Sequence, residues 1–394
     1  MFSYLNIART YVFLWVLYGL QGTLYPVGTL CSQIILAFLL LVSIYYCIAA
    51  NTRYSLPLYI IGLNVLLLLF SVYGVYLMIG GYNSADYAKS IGSFEYLKQI
   101  FISLLPIYTF YVFFKEKYIT EKEFSFWIVV FLFLATANFY ENYRTNLLAA
   151  MLVGSRAEEF TNNVGYEFLA VIPLCALLYK KPVVQYVSLG YCVIFLLLSM
   201  KRGAILIGAI CLIWFMWNNF KFAKMKVKIS LIMLSLLLCF SANYIVQKQM
   251  SESVYFQNRV EKTLEGNSSG RESLYGDFLN YFWNETTPLQ FLFGSGANAT
   301  IKISKEFAHN DWLEIAINQG LFGLIIYALY WLFFARTVFS RKNDSHVGLA
   351  LQLLFVICFL RTIFSMSYSS MTICSTFTLG YCLVQEKKNE QFVK

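Results

Sequence analysis

The sequence predicts an all-α, polytopic integral membrane protein with about twelve transmembrane helices and one large hydrophilic loop that contains short helices. Three observations carry that expectation. Of the 394 residues, 59% are hydrophobic and only 13% are charged, against about 25% charged in an average soluble domain. The mean hydropathy is +0.61. Apolar runs such as 56–79 and 229–246 recur along the chain, each close to the roughly 20 residues that cross a bilayer core. In lipid the backbone must satisfy its own hydrogen bonds, so runs of this length mean helices. A transmembrane barrel would instead alternate in polarity over segments of about ten residues, a pattern this chain lacks.

In chain order the spans are expected near 8–24, 27–49, 56–79, 96–114, 124–140, 164–179, 183–200, 203–218, 229–246, 314–335, 346–363 and 367–385. No small-residue cleavage site follows the first apolar run, so that run is expected to stay as a membrane helix. No fixed-period repeat or low-complexity linker divides the chain. Residues 1–394 therefore read as a single transmembrane domain, with 247–311 inserted as a large loop between the ninth and tenth helices. Inside that loop, 252–264 and 270–283 have mixed polar and aromatic helical character. FGSGAN (293–298) reads as a turn, and the chain from Asn310 enters the tenth span.

Placing the N-terminus in the cytoplasm puts 17 of the 30 Lys and Arg residues on that side, mostly in short loops. The positive-inside rule then makes both termini cytoplasmic and sends the large loop to the opposite face. The net charge of +9 reads as loop lysines rather than as a nucleic-acid surface. The nine cysteines fall in apolar segments with no CxxC pair, so they read as small buried apolar residues.

Arginine is expensive at a membrane position and usually faces a partner or a wet cavity. Arg144, Arg156, Arg202, Arg259, Arg271 and Arg361 fall on the outer side. Arg202, in LSMKRGAILIGA (198–209), stands at an outer helix end. It is either a snorkelling terminus or an anion ligand whose rigid fork matches phosphate oxygens. Arg271 follows Gly270 and, taken alone, reads as a solvated charge at the start of a loop helix. Arg144 and Arg156 share a second outer loop, 141–163, where ordinary surface charge explains them as well as binding does.

Of the two histidines, His346 sits beside Arg341 and Lys342, while His309 stands in EFAHNDWLEIAINQGLFGLIIY (306–327) at the mouth of an apolar helix. Asn310 suits the N-cap, and Asp311 and Glu314 suit the first-turn dipole. A helix N-terminus disfavours imidazolium, leaving a neutral ring able to accept a proton. The alternatives are a histidine that merely caps the helix, or Asp311 or Glu314 as the base. Gly320 and Gly323 suit close helix packing. The Gly-Ser-Gly at 294–296 is either a plain turn or a set of N–H groups for a phosphate. Tyr275, Phe278, Tyr281, Phe282 and Trp283 either stack on sugar rings or pack a loop helix onto the membrane domain. No metal-binding motif is present, so no metal and no cofactor are expected.

Taken in order, KRGA (201–204), GRE (270–272), FGSG (293–296) and HNDWLEIAINQGLFGL (309–324) resemble the O-antigen polymerase and ligase superfamily. The likeness covers about 195–335 in motif detail and the whole chain in hydropathy layout. It implies a metal-independent, inverting, GT-C-like glycosyltransferase of the bacterial inner membrane, with a periplasmic loop and active site. Its substrates would be undecaprenyl-diphosphate-linked oligosaccharides within the lipid bilayer, and its protein partners a chain-length regulator and a flippase, with no nucleic acid. By the same resemblance, Arg202 and Arg271 bind the diphosphate and stabilise it as a leaving group, while His309 orients or deprotonates the acceptor hydroxyl. Where the family often reads Ser-Arg-Gly, Met200 and Lys201 here separate Ser199 from Arg202, so Lys201 is expected to share the phosphate. Arg144, Arg156, Asn310 and Glu314 complete the expected substrate-binding set. Two arginines in the second outer loop favour a polymerase, which must hold two lipid diphosphates, over a ligase that delivers the glycan to lipid A-core. A transporter of the same lipid-linked sugars would show internal repeats and broken helices, and no such symmetry is visible in the sequence.

Overall fold

The computed structural model describes residues 4–79, 93–153, 162–222, 271–304, 306–340, 345–365, 367–368 and 371–390, with isolated positions between 228 and 257. Every regular element among them is helical. The helices are α1 (Tyr4–Gly19), α2 (Leu30–Arg53), α3 (Leu58–Ile79), α4 (Ser93–Lys115), α5 (Phe124–Val153), α6 (Gly165–Ala176), α7 (Pro182–Leu198) and α8 (Arg202–Phe222). After them come α9 (Arg271–Asn280), α10 (Pro288–Phe293), α11 (Ala299–Ser304), α12 (Asp311–Phe339), α13 (His346–Phe364) and α14 (Ile373–Glu390).

Among the described residues, seven helices are long and apolar enough to cross a membrane: α2, α3, α4, α5, α8, α12 and α13. Three more apolar helices, α6, α7 and α14, are shorter. The expected span at 229–246 and the expected loop helix at 252–264 lie outside the described residues, apart from isolated positions. Elsewhere the differences have local causes. The second helix starts at Leu30 rather than 27 because Thr29 caps it, accepting from the Ser32 amide. The fifth continues to Val153 instead of stopping near 140. No glycine or proline interrupts 141–153, and an i,i+3 pair between Arg144 and Glu141 supports the added turns.

The interior is built on α4, which packs against α2, α3 and α14. Tyr11, Phe110 and Phe113 meet there edge to face, with Tyr46 also on Phe113. The outward surfaces are the reverse of a soluble protein's. Leu30, Val183, Ile213 and Trp217 are each at least 70% exposed, a pattern sensible only where lipid replaces water.

Neighbouring helices run antiparallel. Tyr59 bonds Tyr330 and Tyr73 reaches the Gln319 carbonyl, which orients α3 against α12. The Trp214 indole donates to Gln352 (3.1 Å), which with a Gly203–Phe364 contact orients α8 against α13. The N-terminal ends of α8 and α12 and the C-terminal end of α13 therefore lie at one end of the bundle. His346 is at the other end, stacked on Tyr179.

α12 is broken at Gly320 (φ 67°, ψ −164°), a conformation essentially restricted to glycine. Breaking a membrane helix frees carbonyls that lipid cannot satisfy. The FGSG turn supplies the donors: the Ser295 amide bonds Ile317 O (2.8 Å) and the Gly296 amide bonds Asn318 O (3.0 Å). Gly294 (φ 79°) lies so close that a Cβ there would sit 2.3 Å from Asn318 O. Two motifs remote in sequence thus form one backbone joint.

Candidate functional site

The site is assembled from helix ends. Ser199 closes α7 by donating to Leu196 O, and its Oγ accepts from the Lys201 amide. Met200 takes a left-handed φ of 51° in this turn. The two residues that separate Ser199 from Arg202 are thereby absorbed, and Arg202 begins α8. Lys201 Nζ donates to Asn163 Oδ1 at 2.7 Å. The next residue, Gly203, packs where a side chain would not fit: a Cβ there would be 2.7 Å from the Tyr166 hydroxyl and 3.3 Å from Phe364 Cβ.

Phe364 is the meeting point. Its carbonyl accepts from Arg271 Nη1 at 3.2 Å, so the start of α9 and the start of α8 reach the same residue. Two residues earlier, Thr362 Oγ1 accepts from the Trp312 indole at 3.0 Å, which brings in the first turn of α12. Arg361, one turn back along α13 from Phe364, is buried with its guanidinium carbon 4.7 Å from the Tyr166 ring centre. Arg361 and Arg271 both act electrostatically on the Tyr166 hydroxyl. Cations of this kind, in a site of low polarity, stabilise an anion far more than they would in water.

Residues 187–328 match the family model described as O-antigen ligase. The matched region is thus similar to O-antigen ligases, and the apolar helices around it have the length and composition of membrane-crossing ones. No curated protein matches the chain. Lys201, Arg202, Arg271, the FGSG turn and His309 all lie inside the O-antigen ligase match, whereas Tyr166 and Arg361 lie outside it.

Within the ligase-type region, His309 is exposed at the mouth of α12 with a left-handed φ of 52°. The Asn310 side chain caps the helix, accepting from the Trp312 and Leu313 amides at 3.0 and 3.2 Å. Glu314 is 1% exposed. Its carboxylate accepts from the Ala308 amide (2.6 Å), Thr300 Oγ1 (2.8 Å) and Asn318 Nδ2 (3.2 Å). It therefore grips the residue preceding His309 and ties the turn to α11. Asp311 is likewise enclosed. It accepts from Tyr327 OH (2.7 Å) and from the Ser367 and Tyr368 amides (2.9 and 3.3 Å), which locks α12 to the chain leaving α13.

The remaining expected residues fall elsewhere. Arg144 is exposed on α5, paired with Glu141 at 2.9 Å and within 3.5 Å of Gly22 O at the end of α1. Arg156 and Arg259 lie outside the described residues. Phe278 and Phe282 are buried against Ala316 and Ile317 of α12, so they pack the loop helix down. Trp283 stays 66% exposed. The Gly294, Ser295 and Gly296 amides bond Gln290 O, Ile317 O and Asn318 O, so the turn serves the α12 break rather than a phosphate. A cavity of about 700 Å³ opens between α3, α10 and α12, lined by Leu69, Tyr73, Phe293 and Phe322 among others. The Gly294–Gly296 turn also lines it, but none of Lys201, Arg202, Arg271, His309, Asn310 and Glu314 does.

Tyr166 and the central place of Arg361 were not singled out from the sequence. Arg361 carried a signal, since an arginine inside the apolar run of 346–363 needs a reason. Tyr166 carried none, because one tyrosine among 30 has nothing to mark it until the fold places it against Gly203.

Proposed function

We propose that this protein is an O-antigen (surface polysaccharide) polymerase. It transfers a growing undecaprenyl-diphosphate-linked glycan onto an undecaprenyl-diphosphate-linked repeat unit, without a metal and with inversion at the anomeric carbon. One observation carries the reading: the Arg202 turn and the Arg271 side chain meet at Phe364, at the same end of the bundle as His309. In the reaction the bond between the anomeric carbon and the diphosphate oxygen breaks, and its electron pair leaves with the diphosphate. Arg202 and Arg271, assisted by Lys201, neutralise that developing charge by charge-assisted hydrogen bonds. The acceptor hydroxyl attacks from the opposite face and loses its proton to the His309 imidazole, help worth typically about 10²–10⁴-fold. Asn310 and Glu314 hold the His309 turn.

The membrane arrangement belongs to the same proposal: twelve crossings in the bacterial inner membrane, with the 247–311 loop and the site on the periplasmic side. The chain leaves α8 at the end where His346 lies and reaches Arg271 at the opposite end, which supports 229–246 as the ninth crossing. Lys180 and Lys181 follow Tyr179, which stacks on His346, and Lys221 and Arg336 fall in the last turns of α8 and α12, as cytoplasmic residues would. Arg144 and Arg156 are assigned to the second lipid diphosphate, and a chain-length regulator and a flippase are the protein partners.

Arg202→Ala and Arg271→Ala, each shown to be folded and inserted, are expected to abolish chain elongation. Surface polysaccharide of normal length in both would refute the site. Deletion of the gene separates polymerase from ligase on a polysaccharide gel. A single repeat unit on the lipid core marks a polymerase, whereas bare core with accumulated lipid-linked polymer marks a ligase.

A further inference from the structure

We propose that Tyr166 is a substrate-binding residue whose hydroxyl donates a hydrogen bond to a diphosphate oxygen of the lipid-linked donor. The inference rests on the diphosphate reading of the Arg202 and Arg271 site and adds to it a ligand from outside the ligase-type region.

Tyr166 stands in the first turn of α6 and is 6% exposed. Its hydroxyl has no hydrogen-bond partner among the described residues. A buried hydroxyl in that condition is costly, and native structures rarely keep one without a reason. The surroundings supply the reason. The hydroxyl is aimed at the first turn of α8, beside Gly203 and therefore next in sequence to Arg202. Arg361 lies against the ring at 4.7 Å and fixes its orientation. Arg271, held on Phe364 O, acts on the same oxygen electrostatically, as does Arg361. A hydroxyl in the field of two guanidinium groups, Arg361 against its ring and Arg271 beyond, is a good place for an anionic oxygen, to which a phenol O–H donates a strong, charge-assisted bond. Gly203 has a specific role here: any side chain at 203 would push the hydroxyl out of the space it shares with the α8 turn.

A purely structural tyrosine and a ligand-binding one respond oppositely to Tyr166→Phe. The ring, its contact with Arg361 and its packing all remain, and only the unpartnered oxygen is removed. The full chain in lipid nanodiscs is expected to melt at or above the wild-type temperature, while its affinity for a sugar-free polyprenyl diphosphate falls roughly tenfold to a hundredfold. Affinity for a polyprenyl monophosphate should fall less, because fewer anionic oxygens reach the site. Unchanged diphosphate affinity in Tyr166→Phe overturns the proposal. So does a lowered melting temperature with parallel loss of both ligands, which marks the hydroxyl as structural. Arg202→Ala and Arg271→Ala are measured alongside. If they bind the diphosphate as wild type does, the donor reading itself fails, whatever Tyr166 shows.

Discussion

Replacing Gly320 by alanine tests the joint between the FGSG turn and α12, and its cost follows from the geometry. The backbone at 320 sits at φ 67°, ψ −164°, a region that costs a residue with a Cβ about 1–3 kcal/mol. The new methyl carbon would stand 2.4 Å from Gly294 N, 2.6 Å from Leu292 C and 2.7 Å from Leu292 O. All three are backbone atoms, so no side-chain rotation relieves the clash. Reaching an ordinary contact near 3.4 Å means parting the turn from the helix by 1.0 Å, the difference between 3.4 and 2.4 Å. That shift breaks the bonds from the Ser295 and Gly296 amides to α12, worth about 1 kcal/mol each. The sum is about 3–5 kcal/mol.

On the proposed mechanism the damage reaches the chemistry, because Asp311–Gln319, the half-helix above the break, carries the His309 turn on its first residues. Gly320→Ala is expected to melt well below wild type in nanodiscs and to leave cells with little or no long-chain polysaccharide. Gly294→Ala should do the same. The double variant should cost less than the two singles together, since both methyls offend one contact. Gly190→Ala on α7 is the control. A Cβ there meets nothing within 4 Å, and alanine favours a helix by about 0.8–1 kcal/mol, so it should melt no lower than wild type. If Gly320→Ala matched Gly190→Ala in melting temperature and polymer length, the joint would have no structural weight.

Three further outcomes follow from the site. His309→Ala should lower turnover by about 10²-fold or more. His346→Ala should leave turnover near normal, because it lies the length of α13, 19 residues or about 27 Å, from Phe364; equal effects would remove His309 from the chemistry. Glu314→Gln replaces one of two fully engaged carboxylate oxygens by an N–H group facing a donor, a loss of about 1–3 kcal/mol. It should reduce turnover while donor affinity holds, and wild-type turnover would mean that the His309 turn does not depend on Glu314. Purified protein should elongate glycan in EDTA, since the arginines are assigned the charge that a metal would otherwise neutralise; a strict divalent-metal requirement would reverse that assignment.

What was legible in the sequence is what local physics determines. The expected span at 56–79 corresponds to Leu58–Ile79, and that at 346–363 to His346–Phe364, because apolar length and flanking charge set where a helix lies in a bilayer. The Asn310 cap was readable because capping is a short-range matter of one side chain and two amides. The division of labour among the polar residues was not, because it depends on neighbours far away in the chain. Glu314 read as a candidate base or ligand, yet Thr300 and Ala308 take its oxygens. FGSG read as a turn that could also cradle a phosphate, yet the Ser295 and Gly296 amides are committed to α12.

The break in α12 shows the same limit from the other direction. A discontinuous membrane helix is a transporter feature when its freed carbonyls are left for an ion. In this chain the FGSG turn occupies Ile317 O and Asn318 O, while the Tyr73 hydroxyl, which donates to Phe293 O, stands 3.5 Å from Gln319 O. Two of the freed carbonyls are thus taken by the backbone that fills the break. Its effect is to set the angle at which the His309 turn leaves the membrane domain, toward the end of α13 where Arg361, Tyr166 and Arg271 are gathered. A helix broken to aim a side chain, rather than to bind a solute, fits an enzyme better than a carrier.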